Sequence, residues 1–149
     1  MRISRLQVVI AMALLAFGIP SKLGANDEKT PNEEQRAQAI NVVRLINTAE
    51  AMYSLGTSKN AGDGHGQYTS WEELYRSGVV KTAQDRWSIV RSLQVSTSPE
   101  VIPGYRLDLI VAPDGKTFSV ALHDTMPADG MFTVFSDQTG IIYLGAPIQ

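Results

Sequence analysis

The stretch Tyr105-Arg106-Leu107-Asp108-Leu109-Ile110-Val111, then Ala112-Pro113-Asp114-Gly115-Lys116, then Thr117-Phe118-Ser119-Val120-Ala121-Leu122 decides the fold class. Tyr105, Leu107, Leu109 and Val111 alternate with Arg106, Asp108 and Ile110. Phe118, Val120 and Leu122 alternate with Thr117, Ser119 and Ala121. A period of two puts successive side chains on opposite faces of a strand, and Pro-Asp-Gly is turn chemistry. The two runs therefore predict a hairpin with one buried face.

Working outward toward the C-terminus, a loop from Asp124 to Gly130 leads to a third strand, Met131 to Ser136. Asp137-Gln138-Thr139-Gly140 is a tight turn, and Ile141 to Leu144 is a fourth strand. On the N-terminal side the period lengthens to 3.6. Thr30-Pro31-Asn32-Glu33 predicts a helix start, with Thr30 as N-cap, Pro31 in the first helical position and Glu33 closing a capping box. That helix is expected to reach Ser54 or Leu55 and stop at Gly56. Ala39, Val42, Leu45, Ile46, Ala49, Met52 and Tyr53 form its apolar arc. Arg36, Arg44, Asn47 and Thr48 lie on the polar side, and Ile40 sits among them as a candidate contact residue.

Between these halves, Ser58 to Gln67 reads as a loop. Ser70-Trp71-Glu72-Glu73 is a second capping box, opening a short helix that Gly78 ends. A third helix is expected from Thr82 to about Leu93, and Val95 to Val101 reads as irregular or extended. The expected architecture is α+β, with a long N-terminal helix packed on a four-stranded antiparallel meander.

The first 25 residues carry a different message. Arg2 and Arg5 precede an apolar run from Val8 to Ile19, and Leu23-Gly24-Ala25 ends in small residues, the layout of an export signal cut near Ala25. A retained membrane anchor is the rival reading, but the run is shorter than the about 20 residues a spanning helix needs. Expected organisation is a signal peptide over 1–25, a linker over 26–32 and one domain over 33–149. Localisation is then periplasmic or secreted, with no membrane association after cleavage. Loss of Arg2, Arg5 and Lys22 leaves 10 basic and 15 acidic side chains, a net of −5, which disfavours nucleic acid as a partner. The chain has no cysteine. That excludes disulfide staples, thiol catalysis and the usual lipoprotein route.

Ala39-Ile40, Ile46-Asn47-Thr48-Ala49-Glu50 and Tyr53 on the long helix carry a resemblance. So do Gly66-Gln67-Tyr68, Gly104-Tyr105-Arg106-Leu107, and Phe135-Ser136-Asp137-Gln138-Thr139-Gly140-Ile141-Ile142. Over Pro31 to Leu144 the chain resembles the globular head of the type IV pilin and type II secretion pseudopilin family. The resemblance implies a non-enzymatic domain that works by protein–protein contact. It departs from the family at the N-terminus, where Gly18 is followed by Ile19-Pro20 rather than the Phe-Thr-Leu-Ile-Glu that follows the cleaved glycine. The expectation is a stemless, soluble pilin-like domain, accessory to a secretion or pilus system.

Candidate chemistry is sparse. The histidines are His65 and His123. His123 and Asp124 are strand neighbours that face opposite ways, so they do not make a catalytic pair. The glycines around His65 lack the strand and helix of a phosphate loop. Glu72 and Glu73 suit the first turn of a helix, where the dipole favours acids. Asp124, Asp129 and Asp137 are the calcium candidates, hard oxygen donors in C-terminal loops, and the resemblance also implies such a site; otherwise no cofactor is expected. Trp71, Tyr75, Tyr68 and Trp87 are candidates to line a groove, and Met126-Pro127 is a candidate contact tip. The alternative to a protein-contact domain is a periplasmic small-ligand or calcium-binding module. An exported hydrolase is the remaining rival.

Overall fold

A computed structural model describes residues 31–58, 66–88, 90–125 and 132–145. The expected leader, Thr30, His65, Asp129 and Met126-Pro127 lie outside them. Three helices precede five strands: α1 (Pro31–Ser58), α2 (Trp71–Arg76), α3 (Val79–Arg86), β1 (Glu100–Ile102), β2 (Tyr105–Val111), β3 (Phe118–Asp124), β4 (Thr133–Asp137) and β5 (Tyr143–Gly145). The strands form one antiparallel sheet in chain order, β1-β2-β3-β4-β5. The fold is α+β. No helix among the described residues is long and apolar enough to cross a membrane.

The sheet has five strands, not four. The extra one, β1, is three residues long and pairs with the start of β2 across Pro103-Gly104. Its sequence is too short for a period to register, and pairing with β2 rather than propensity makes it a strand. The strands expected from Met131 and Ile141 begin two residues later, at Thr133 and Tyr143.

The helices also shift. α1 runs through Gly56 to Ser58, so a single glycine does not end it. Ser70 caps α2, its Oγ accepting from the Glu73 amide. Gly78 then takes a left-handed conformation (φ 77°) that ends α2 and starts α3 directly at Val79. α3 stops at Arg86, because Trp87 is extended, well short of the expected Leu93.

α1 packs on β3 and β4 on one side and on α2 and α3 on another. A helix covered from two directions buries more than one apolar arc. Val43 is therefore fully buried alongside Val42, Leu45 and Ile46, and Ile40 is packed against the core. Ile40 is thus a packing residue, not an isolated contact point on a polar side. Asn47, expected on the polar side, also turns inward, its Nδ2 donating to Ser136 Oγ at 2.8 Å. The sheet's inner face completes the core with Leu107, Phe118, Val120, Leu122 and Val134.

Candidate functional site

The outer face of the sheet is where chemistry-bearing side chains gather. Strand register places Arg106, His123 and Thr133 in one row across β2, β3 and β4. The next row holds Asp108, Ala121, Phe135 and Tyr143. His123 bridges the two: its Nε2 is 3.2 Å from Asp108 Oδ2, and its Nδ1 is 3.3 Å from Thr133 Oγ1. Arg106 donates to the same Asp108 oxygen at 3.1 Å. The carboxylate is shared between a guanidinium and an imidazole.

Hydroxyl, imidazole and carboxylate in line is the order found in a serine-hydrolase relay. Here the three side chains stand on a flat sheet surface, with Asp108 and His123 each about 40% exposed. Cross-strand pairing of opposite and polar groups accounts for the contacts. The partner of His123 is Asp108, not its chain neighbour Asp124. Hairpin parity holds the signal, since Arg106 and Asp108 share a face and the turn length sets His123 on that same face.

Beside this polar cluster lies an aromatic one. Phe135 and Tyr143 stack with ring centroids 5.1 Å apart and planes 16° from parallel. Phe135 is 41% exposed, Tyr143 44%, and Ile110 on the same face 67%. Leu144 belongs to the inner face by register but is also exposed, because α1 lies over β3 and β4.

The four aromatics expected in a groove do not form one. Trp71 is buried and its Nε1 donates to Ser96 O at 2.9 Å. Tyr75 meets it edge to face at 6.1 Å but is exposed. Tyr68 packs edge-on against Phe118 instead, at 4.8 Å. Trp87 is exposed just past the end of α3.

Of the calcium candidates, Asp124 and Asp137 sit at opposite ends of the sheet. Asp137 is level with Ser119, five residues along β3 from Asp124, or about 17 Å at strand rise. Ligands of one calcium ion all lie within about 2.6 Å of it, so these two do not share an ion. Asp137 closes its own turn, accepting from the Thr139 amide and hydroxyl, and these bonds hold its carboxyl below the usual range. Asp124 faces Tyr105 in the register; burial raises the Tyr105 phenol, the Asp124 charge raises it further, and Arg36 opposes. Among the described residues no three acidic or histidine side chains cluster as a metal site.

Sequence reasoning misses one buried acid. Glu50 follows Ile46 by one turn and precedes Tyr53 by three residues, inside the apolar arc, and that position is the available signal. It is fully buried; its Oε2 accepts from the Thr69 amide at 3.1 Å and its Oε1 has no hydrogen-bond partner. Burial pushes the carboxyl up to about 7, against the opposing effect of the Thr69 bond. Glu50 pins the segment Gly66–Ser70 to α1. The same segment is tied by Gln67 N to Thr57 Oγ1 and by Tyr68 N to Gly115 O, both at 2.9 Å. Gly66 lies so close to Ser54 O that a Cβ there would overlap it.

No protein-family model, curated protein or solved structure matches the chain. Function rests on its own residues.

Proposed function

We propose that the protein is an exported, non-enzymatic pilin-like domain that acts by contact with another protein through the outer face of its sheet. The observation that carries the reading is the stacked Phe135–Tyr143 pair, exposed on a face that no described element covers. Rigid aromatic side chains bury large areas at low entropic cost, and interface centres are rich in them. Arg106, Asp108, His123 and Thr133 supply a polar rim whose groups already hold one another in place. The resemblance to pilin and pseudopilin heads supports the same class, and the N-terminal layout supports export. A role accessory to a secretion or pilus system follows from that resemblance.

The test is site-specific photo-crosslinking in the native cell. A photoreactive side chain in place of Phe135 is expected to give a discrete higher-mass adduct, whereas one in place of Arg44 on the exposed side of α1 is not. Absence of an adduct at 135, or equal adducts at both sites, overturns the contact reading. Intact mass of the same material is expected to begin at Asn26; a full-length mass overturns cleavage.

A further inference from the structure

A second surface lies at the edge of the sheet, away from the aromatic pair. β1 covers only the first part of β2. Leu107 N donates outward to Pro99 O at 2.7 Å, and β1 pairing begins at Glu100 opposite Arg106. Backbone groups in an antiparallel strand alternate in direction, so Leu109, two residues on, presents its N–H and C=O to the same side. No described residue pairs with Leu109 there. The chain before Pro99 bends at Thr97 and Ser98 instead of continuing along β2, leaving a hollow of about 320 Å³ between it and the start of α2. Its walls are Ser70–Glu72 and Thr97–Pro99, and its floor is the edge of β2 from Leu107 to Ile110. Trp71 and Pro99 give it apolar sides.

The open lane runs from Asp108 to Val111, about 13 Å, enough for some four extended residues. An unpaired edge within a walled groove is the geometry of strand addition, in which main-chain bonds give affinity and flanking side chains give selectivity. Charge narrows the occupant. Glu72 and Asp108 are the charged residues of the lining, and both are acidic. Asp108 is already shared with Arg106 and His123, while Glu72 is exposed and in no ion pair among the described residues. A second copy offering this same edge would set these acids against one another.

We propose that the open edge of β2 is a docking lane for a short extended segment of a partner protein that carries a basic side chain. The segment continues the lane of β1 and runs antiparallel to β2. Its residue opposite Leu109 exchanges both main-chain bonds and turns its side chain inward, toward Trp71. Its neighbours opposite Ile110 and Asp108 face outward. In chain order the preferred pattern is apolar, apolar, basic. This site shares Asp108 with the polar rim of the outer-face contact, but its main-chain bonds are made at Leu109, and it stands or falls independently of Phe135 and Tyr143.

The probe is the capped pentapeptide threonine–valine–valine–lysine–threonine, titrated into ¹⁵N-labelled protein. The Leu109 amide is expected to shift saturably and to exchange with solvent at least tenfold more slowly. Replacing lysine by glutamate in the peptide, or Glu72→Lys in the protein, is expected to weaken binding at least fivefold. Methylating the amide nitrogen of the central valine is expected to abolish it. An unmoved Leu109 amide at millimolar peptide overturns the site. Equal binding of the N-methyl peptide overturns strand addition, and equal binding of both charge forms overturns the acidic selection. All readouts are at β2, so failure here leaves the reading of Phe135 and Tyr143 untouched.

Discussion

The inner and outer faces of the sheet are made by the same strands from alternate residues, and they are built on opposite terms. Inward, Val120, Leu122 and Val134 are sealed under α1. Outward, Arg106, Asp108, His123 and Thr133 hold a half-exposed polar network beside two stacked rings. One face commits its residues to burial, where apolar area is worth about 25 cal/mol per Å². The other keeps large rings in water, where they contribute little to folding. An antiparallel sheet with one face packed and the other solvated divides its residues in this way.

Leu122→Ala breaks the comparison from the inside. Leu122 is fully buried in the middle of the inner face, and its truncation is expected to cost about 3–4 kcal/mol in urea unfolding. A cost below about 1 kcal/mol would mean that the face is not the core.

Glu50 tests the inner side electrostatically. Its carboxyl sits near 4.5 when unperturbed and is raised to about 7 in the fold. Between those values the folded state holds a proton that the unfolded state has released. The contribution is therefore complete below about 4.5 and is lost as pH rises to about 7, with a total change on the order of 3 kcal/mol. Glu50→Gln is expected to flatten that slope and to stabilise the protein at pH 8 by about 2 kcal/mol. Denaturant midpoints measured across the range from acid to mildly alkaline pH check it, and an unchanged slope would assign the effect to another group.

The smallest effect belongs outside. Phe135→Ala is expected to change stability by less than about 1 kcal/mol, as an exposed site does, while removing the adduct formed by a photoreactive side chain placed at Tyr143 on the same face. A loss of several kcal/mol would show instead that the ring pair is structural.

How far the sequence foretells this division depends on which interactions set each element. Alternation at Tyr105–Leu122 is visible because each strand sees one core face, and the long helix is visible from its arc. β1 is not, since three residues carry no period and their pairing is set by a neighbour. Ile40, Val43 and Asn47 escape the pattern because α1 is covered from two sides, which a single arc does not foresee. The outer site is half legible: His123 stands out, but its contact with Asp108 requires the register of the hairpin. Trp71, expected beside Tyr68 in a groove, is instead held by Ser96 O, a contact 25 residues away that no local pattern announces.

The order of elements has a consequence for how the chain reaches its fold. Every strand neighbours the next in sequence, so the sheet closes through short loops, a topology of low contact order that favours rapid assembly. The helix that needs this sheet is made first, and Val134, far along the chain from Val42, is part of its cover. A chain emerging N-terminus first from a ribosome carries α1 with an uncovered apolar side until β3 and β4 have followed it out. Folding is therefore expected to wait for the β3–β4 hairpin that completes the cover of α1.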